Sequence, residues 1–188
     1  MESFRFLVYD GRNMPIVSDI PQWVPQKVCL TCDGCCRFKD EQSPWRPKVA
    51  KSEYASPGIV EKIFSAQHVG QDHFLKAVQE TNICRCTFFD LPSKTCSIYP
   101  QRPFECRLYP FLLTRSEKGD GAAIYVHLAC PHIQETHLTP GFREFVQQLK
   151  DYFHQKNVKA FIQANKNVLV SDYSAYADEI AFLFDIPL

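Results

Sequence analysis

Four cysteines stand in the eight-residue run CLTCDGCC, at Cys29, Cys32, Cys35 and Cys36. Five more follow, at Cys84, Cys86, Cys96, Cys106 and Cys130, which makes nine in 188 residues. A chain this rich in thiols must oxidise them, bury them or give them to a metal, and the compartment decides which. The N-terminus, MESFRFLVYDGRNMP, carries Glu2 and Asp10 and no long apolar core, so it does not read as a secretory signal. Nor does any apolar run approach the roughly 20 residues that cross a bilayer. A cytoplasmic protein with no membrane association is expected. In a reducing cytosol dense cysteine points to metal binding or redox chemistry, not to a disulfide framework.

Spacing narrows the chemistry. A two-residue gap between cysteines lets a tight turn aim two sulfurs at one centre. Two such gaps in succession, CxxCxxC over Cys29, Cys32 and Cys35, form the local signature of a cubane iron–sulfur cluster whose fourth ligand lies elsewhere. Structural zinc more often uses two separated CxxC pairs. Cys36 fits neither pattern, because adjacent side chains on an extended backbone diverge. Cys35 and Cys36 are therefore expected to serve different centres, or one of them none. All nine cysteines are candidate metal ligands, for a cluster of the 4Fe-4S type or for zinc. They could divide as four, four and one, or form one four-thiolate site beside redox or structural thiols. Four thiolates around Zn²⁺ or an oxidised cubane leave a net charge of about −2. Arg37, Arg85, Arg102 and Arg107 lie beside or between the cysteines and could offset it, with Arg37, Arg102 and Arg107 the candidate cofactor-binding cations. The competing reading is that each is a solvated surface residue.

The rest of the chain supplies the fold. Hydrophobic residues make up 45% of it, with fifteen Phe and thirteen Pro, so a real core and much irregular backbone are both expected. One α+β domain over residues 1–188 is predicted. Its irregular, metal-nucleated cysteine core (28–133) contains a β-hairpin, and amphipathic helices in a C-terminal annex (139–188) close it. Residues 4–9 read as a short strand before an Asp10-Gly11 turn, and 12–28 as irregular. Residues 40–58 read as loop with room for one short turn of helix, and 58–69 and 71–80 as short helices. LYPFLLTR and AAIYVHL flank SEKGDG as a hairpin. Thr139 can cap a helix with Pro140 at its first position. Phe142, Phe145, Val146, Leu149, Tyr152 and Phe153 then repeat at helical steps. Phe161 and Ile162 continue after a break near Asn157, and Tyr173, Ala177, Ile180 and Phe184 predict a last helix over 173–184.

The formal net charge is zero, which argues against a nucleic-acid partner. Metal ions, and a redox or protein partner, are the expected ones. Among six histidines, His132 lies two residues after Cys130 and is a weak further ligand candidate; it more often hydrogen-bonds. Tyr99 and Tyr109 are expected to pack around the cysteines. No Cys–His or serine nucleophile signature stands out.

Taken together, CLTCDGCC, CSIYPQRPFECRLYPF and ACP resemble the YkgJ-type CxxCxxCC cysteine-cluster family, a zinc- or iron-chelating domain. Its pattern is CxxCxxCC, then a cysteine followed by IYxxRPxxCRxYP, then one late cysteine. This sequence matches at Cys29, Cys32, Cys35, Cys36, Cys96, Ile98, Tyr99, Arg102, Pro103, Cys106, Arg107, Tyr109, Pro110 and Cys130, over roughly residues 28–133. The resemblance implies metal chelation, often as an iron–sulfur protein, without an established reaction. A zinc-stabilised binding module without catalysis is the alternative. The same cysteine module is similar to one in flagellin lysine N-methylases. With only seven Gly and no Gly-rich loop after a strand to cradle a nucleotide, that activity is a minor alternative.

Overall fold

The computed structural model describes residue 17 and residues 19–55, 67–119 and 121–188. The expected strand at 4–9, its turn and most of the helix at 58–69 lie outside these residues. Helix α1 (Gln26–Cys29) ends on the first cysteine, and a 3₁₀ turn (Gly34–Cys36) carries the last two of the run into strand β1 (Arg37–Phe38). Within the Pro-punctuated loop that follows, α2 (Lys51–Ala55) is one short helix. Strands β2 (Ala77–Gln79) and β3 (Cys84–Cys86) join β1 in an antiparallel sheet of order β1-β3-β2. The predicted helix over 71–80 is thus a correction. Phe74, Leu75 and Val78 share a helical face on paper, but Leu75 bridges to Val69 and Val78 pairs with Arg85. So short an apolar run does not separate the two periods, and pairing with β3 decides for strand.

Strands β4 (Phe89–Asp90) and β5 (Thr95–Cys96) form a small hairpin, with Lys94 in the left-handed region. Helix α3 (Phe104–Leu108) holds Cys106, and the Tyr109–Pro110 peptide bond after it is cis. The predicted hairpin is present as β6 (Phe111–Arg115) and β7 (Gly121–His127). Gly119 turns it at a φ of 125°, and a Cβ on Gly121 would meet the Ile186 carbonyl at 2.9 Å. Helix α4 (Pro131–Thr136) starts directly after Cys130. In α5 (Pro140–Phe153) the Phe142 N–H donates to Thr139 Oγ1 at 3.2 Å, the expected cap. The chain breaks at His154–Gln155 before α6 (Lys156–Ala164).

The predicted last helix is the second correction. Residues 174–179 are 3₁₀ turns, and β8 (Ile180–Pro187) runs antiparallel to β7, giving the order β6-β7-β8. Phe184 and Ile186 are buried on one face while Phe182 is half exposed on the sheet. The free edge of the hairpin made the choice, since it offers β8 a full ladder of backbone partners.

Two hydrophobic clusters result, in an α+β architecture. The larger packs helices α3 to α6 on the β6-β7-β8 sheet around Phe104, Leu113, Ile124, Leu149, Phe153 and Ile162. The smaller lies under the β1-β3-β2 sheet around Phe38, Val49, Leu75, Cys84, Cys86 and Phe89. Among the described residues no helix is long and apolar enough to cross a membrane.

Candidate metal centre

Four stretches of chain deliver thiols to one place. Cys29 comes from the end of α1, Cys32 from the link after it and Cys35 and Cys36 from the 3₁₀ turn, Cys86 from β3, Cys96 from β5 and Cys106 from α3. All seven line a single cavity of about 80 Å³ between the two hydrophobic clusters. Tyr99, Arg102 and Tyr109 line it with them. Cys35 and Cys36 do not diverge, because the backbone between them is a 3₁₀ turn and not a strand; their sulfurs are hydrogen-bonded to each other.

Electrostatics link these thiols. Burial pushes Cys86 up to about 12 and Cys106 well above the ordinary thiol range, with neighbouring thiols adding to the rise in both. The hydrogen bond within the Cys35–Cys36 pair acts in opposite senses, lowering Cys35 and raising Cys36. Arg102 favours the thiolate at Cys29, Cys35, Cys96 and Cys106. Backbone N–H groups of Phe88 and Ile98 donate to the sulfurs of Cys86 and Cys96, and the Tyr99 hydroxyl donates to Cys29. Such donors stabilise thiolates, whether free or metal-bound.

Cys130 sits just outside the cavity wall. It is buried before α4, accepts N–H bonds from His132 and Ile133, and feels the charges of Cys32 and Cys35. Tyr109 lies between the groups: burial raises it, and the thiols of Cys35, Cys130, Cys32 and Cys29 raise it further. Its hydroxyl is 2.9 Å from His127 Nδ1, while Trp45 stacks on the His127 ring at 3.9 Å. Cys84 is placed elsewhere. Fully buried under β3, it donates to Gln79 Oε1 at 3.1 Å and does not line the cavity. Among the candidate cations, Arg102 faces the thiols and Arg85 acts on Cys86. Arg37 instead pairs with Asp33 and Glu80, and Arg107 with Glu53.

Behind α3, a buried ionic lock positions Cys106. Lys48, with no exposed surface, contacts Glu105 Oε1 at 2.7 Å and donates to Ser171 Oγ at 2.6 Å, while its backbone N–H donates to Glu105 Oε2. Glu53 accepts from the N–H groups of Ala50 and Phe104. Nothing in the sequence marks Lys48 or Ser171 as neighbours, since 123 residues separate them.

Seven thiols with N–H donors, and Arg46 and Arg102 on the same lining, are the donor chemistry of a thiolate metal centre. The sulfurs surround the cavity without converging on one point: among the described residues no three His, Cys, Asp or Glu side chains form a ready coordination shell. The donor types fit a zinc or iron–sulfur group, and ligation would draw these sulfurs inward.

Comparison with known proteins agrees with this chemistry. A family model, CxxCxxCC, described as a putative zinc- or iron-chelating domain, matches residues 28–137. No curated protein and no solved structure matches the chain.

Proposed function

The chain belongs to the CxxCxxCC family of zinc- or iron-chelating domains, and from that premise we propose that it holds an iron–sulfur cluster of the 4Fe-4S type and serves an electron-transfer or redox-linked role in the cytoplasm. The observation that carries this reading is that the CxxCxxC thiols Cys29, Cys32 and Cys35 meet the sequence-distant Cys96 and Cys106 on one cavity, a three-plus-one set of the cubane kind, where structural zinc more often joins two CxxC pairs. The CxxCxxC run contributes Cys29, Cys32 and Cys35, and Cys96, Cys106 or Cys130 is the remote ligand. When bound, the cluster supplies one-electron chemistry. The protein's own part is to hold the thiolates, offset their charge with Arg102 and donate N–H bonds to the sulfurs, the terms that set a cluster's potential. The apolar wall formed by Phe88, Phe89 and Ile98 limits water there.

Anaerobic purification, with an absorption spectrum and iron, sulfide and zinc analysis on one sample, tests this. Broad absorption near roughly 400 nm, as thiolate-ligated iron–sulfur centres show, with matching iron and sulfide, is expected. A colourless protein containing zinc and no iron would overturn the redox reading and make the cysteines the scaffold of an interaction module.

A further inference from the structure

Beside the cysteine cavity runs an open groove of about 400 Å³, between residues 19–26 and residues 99–107. Its size falls in the range of small-molecule sites. Gln22 ties the two walls together by donating from Nε2 to the Arg107 carbonyl at 2.7 Å. Pro25 and Pro100 give the groove its exposed apolar surface, with Ile20 and Val24 nearly buried beneath as part of the larger cluster. Tyr99 and Arg102 line both the groove and the thiol cavity, so the groove runs up to the thiols.

Arg102 is held unlike Arg37, Arg85 and Arg107, and in the manner of Arg46, which lines the thiol cavity but not the groove and also donates to a backbone carbonyl beside an aromatic ring. Its guanidinium lies 3.7 Å over the Tyr99 ring, and its Nε donates to the Tyr99 carbonyl at 3.0 Å. Arg37, Arg85 and Arg107 are each ion-paired with a carboxylate, whereas among the described residues none is paired with Arg102. A guanidinium flattened on an aromatic ring presents a planar donor edge that matches a carboxylate. Arg107 spends its charge on Glu53 at 3.6 Å, and Asp19 adds a negative charge to the groove. The balance favours one singly charged head over a multiply charged anion.

We propose that this groove binds a small amphipathic carboxylate, its head on Arg102 and its apolar body along Pro25 and Pro100. The head then lies next to the thiol centre, as a substrate or ligand of that centre would. Only this last placement rests on the metal-centre reading; binding in the groove does not.

Benzoate is the probe, with benzylamine and inorganic phosphate as controls, titrated into the full chain as purified with its metal and followed by calorimetry and amide chemical shifts. Benzoate is expected to bind and to shift amides in 19–26 and 99–102. Arg102→Gln should weaken it about tenfold or more, the loss of charge-assisted hydrogen bonds. Because Arg102 also faces the thiols, Gln26→Trp supplies the second variant. It fills the groove from α1, and should abolish benzoate binding while leaving metal content at the wild-type level. Failure of benzoate to bind, equal binding of benzylamine or phosphate, or unchanged binding in Gln26→Trp would overturn the proposal. Absence of metal from the purified protein would overturn the metal-centre reading alone, and the benzoate result would still judge the groove.

Discussion

Individual side chains around the cavity divide into those that line it and those that hold the frame. Cys32→Ser and Cys106→Ser are each expected to lower metal content and solubility, since both thiols line the cavity; elemental analysis of the purified variants checks this. Cys84→Ala should keep wild-type metal, because Cys84 bonds Gln79 away from the cavity. Equal metal loss in that variant would show the smaller cluster rearranging around a further ligand. Lys48→Met leaves Glu105 buried without its cation and should cost about 3–5 kcal/mol in denaturant unfolding, with recovery in Lys48→Met/Glu105→Leu. His127 adds a pH dependence. Burial lowers its folded pKa below the usual histidine range, with Glu179 opposing the shift. The unfolded chain therefore binds the proton more readily. The contribution of His127 is complete above its unfolded pKa of about 6.5 and is lost as pH falls below it toward the lowered folded value. Thermal melts from pH 8 to 5 should show wild type losing more stability than His127→Gln, which cannot titrate.

At the scale of elements, the long periodic segments were the legible ones. Six apolar residues at helical steps behind a Thr-Pro start give α5 with its cap in place, and Thr139→Ala should cost about 1 kcal/mol in chemical denaturation. The β6–β7 hairpin was equally clear, being two apolar runs across a Gly-containing turn. Residues 71–80 and 173–184 read as helices, yet 77–79 and 180–184 are strand and 174–179 are 3₁₀ turns. In both, the spacing of a few apolar residues suits either period, and the partner strand, β3 or β7, lies outside the window in which the pattern is read. Phe184 shows what the pairing gains: in β8 it is buried against Phe153. Phe184→Ala should therefore cost about 3–5 kcal/mol, measurable as a lower denaturation midpoint.

For the whole molecule, the two hydrophobic clusters set how metal and folding are coupled. The larger cluster is built from Phe, Leu and Ile on α3 to α6 and the β6-β7-β8 sheet, so it has a core of its own. The smaller cluster is shared with Cys84, Cys86, Cys36, Cys96 and Cys106. If metal nucleates that half, its binding free energy is folding free energy there. Chelation should then speed amide exchange in β1 to β5 and leave α5 protected; unchanged exchange in β1 to β5 would show that half stands without metal. The sequence by itself determined that thiols dominate this protein, that they follow the CxxCxxCC pattern and that an amphipathic helix follows them, because ligand spacing and helical period are local properties. Only the tertiary structure decided that seven thiols share one cavity, that Cys84 turns away and that Arg102 alone among four arginines faces it without a carboxylate. Those facts depend on which distant segments meet, as Lys48 meets Ser171, and burial and pairing across such distances leave no periodic mark in the chain.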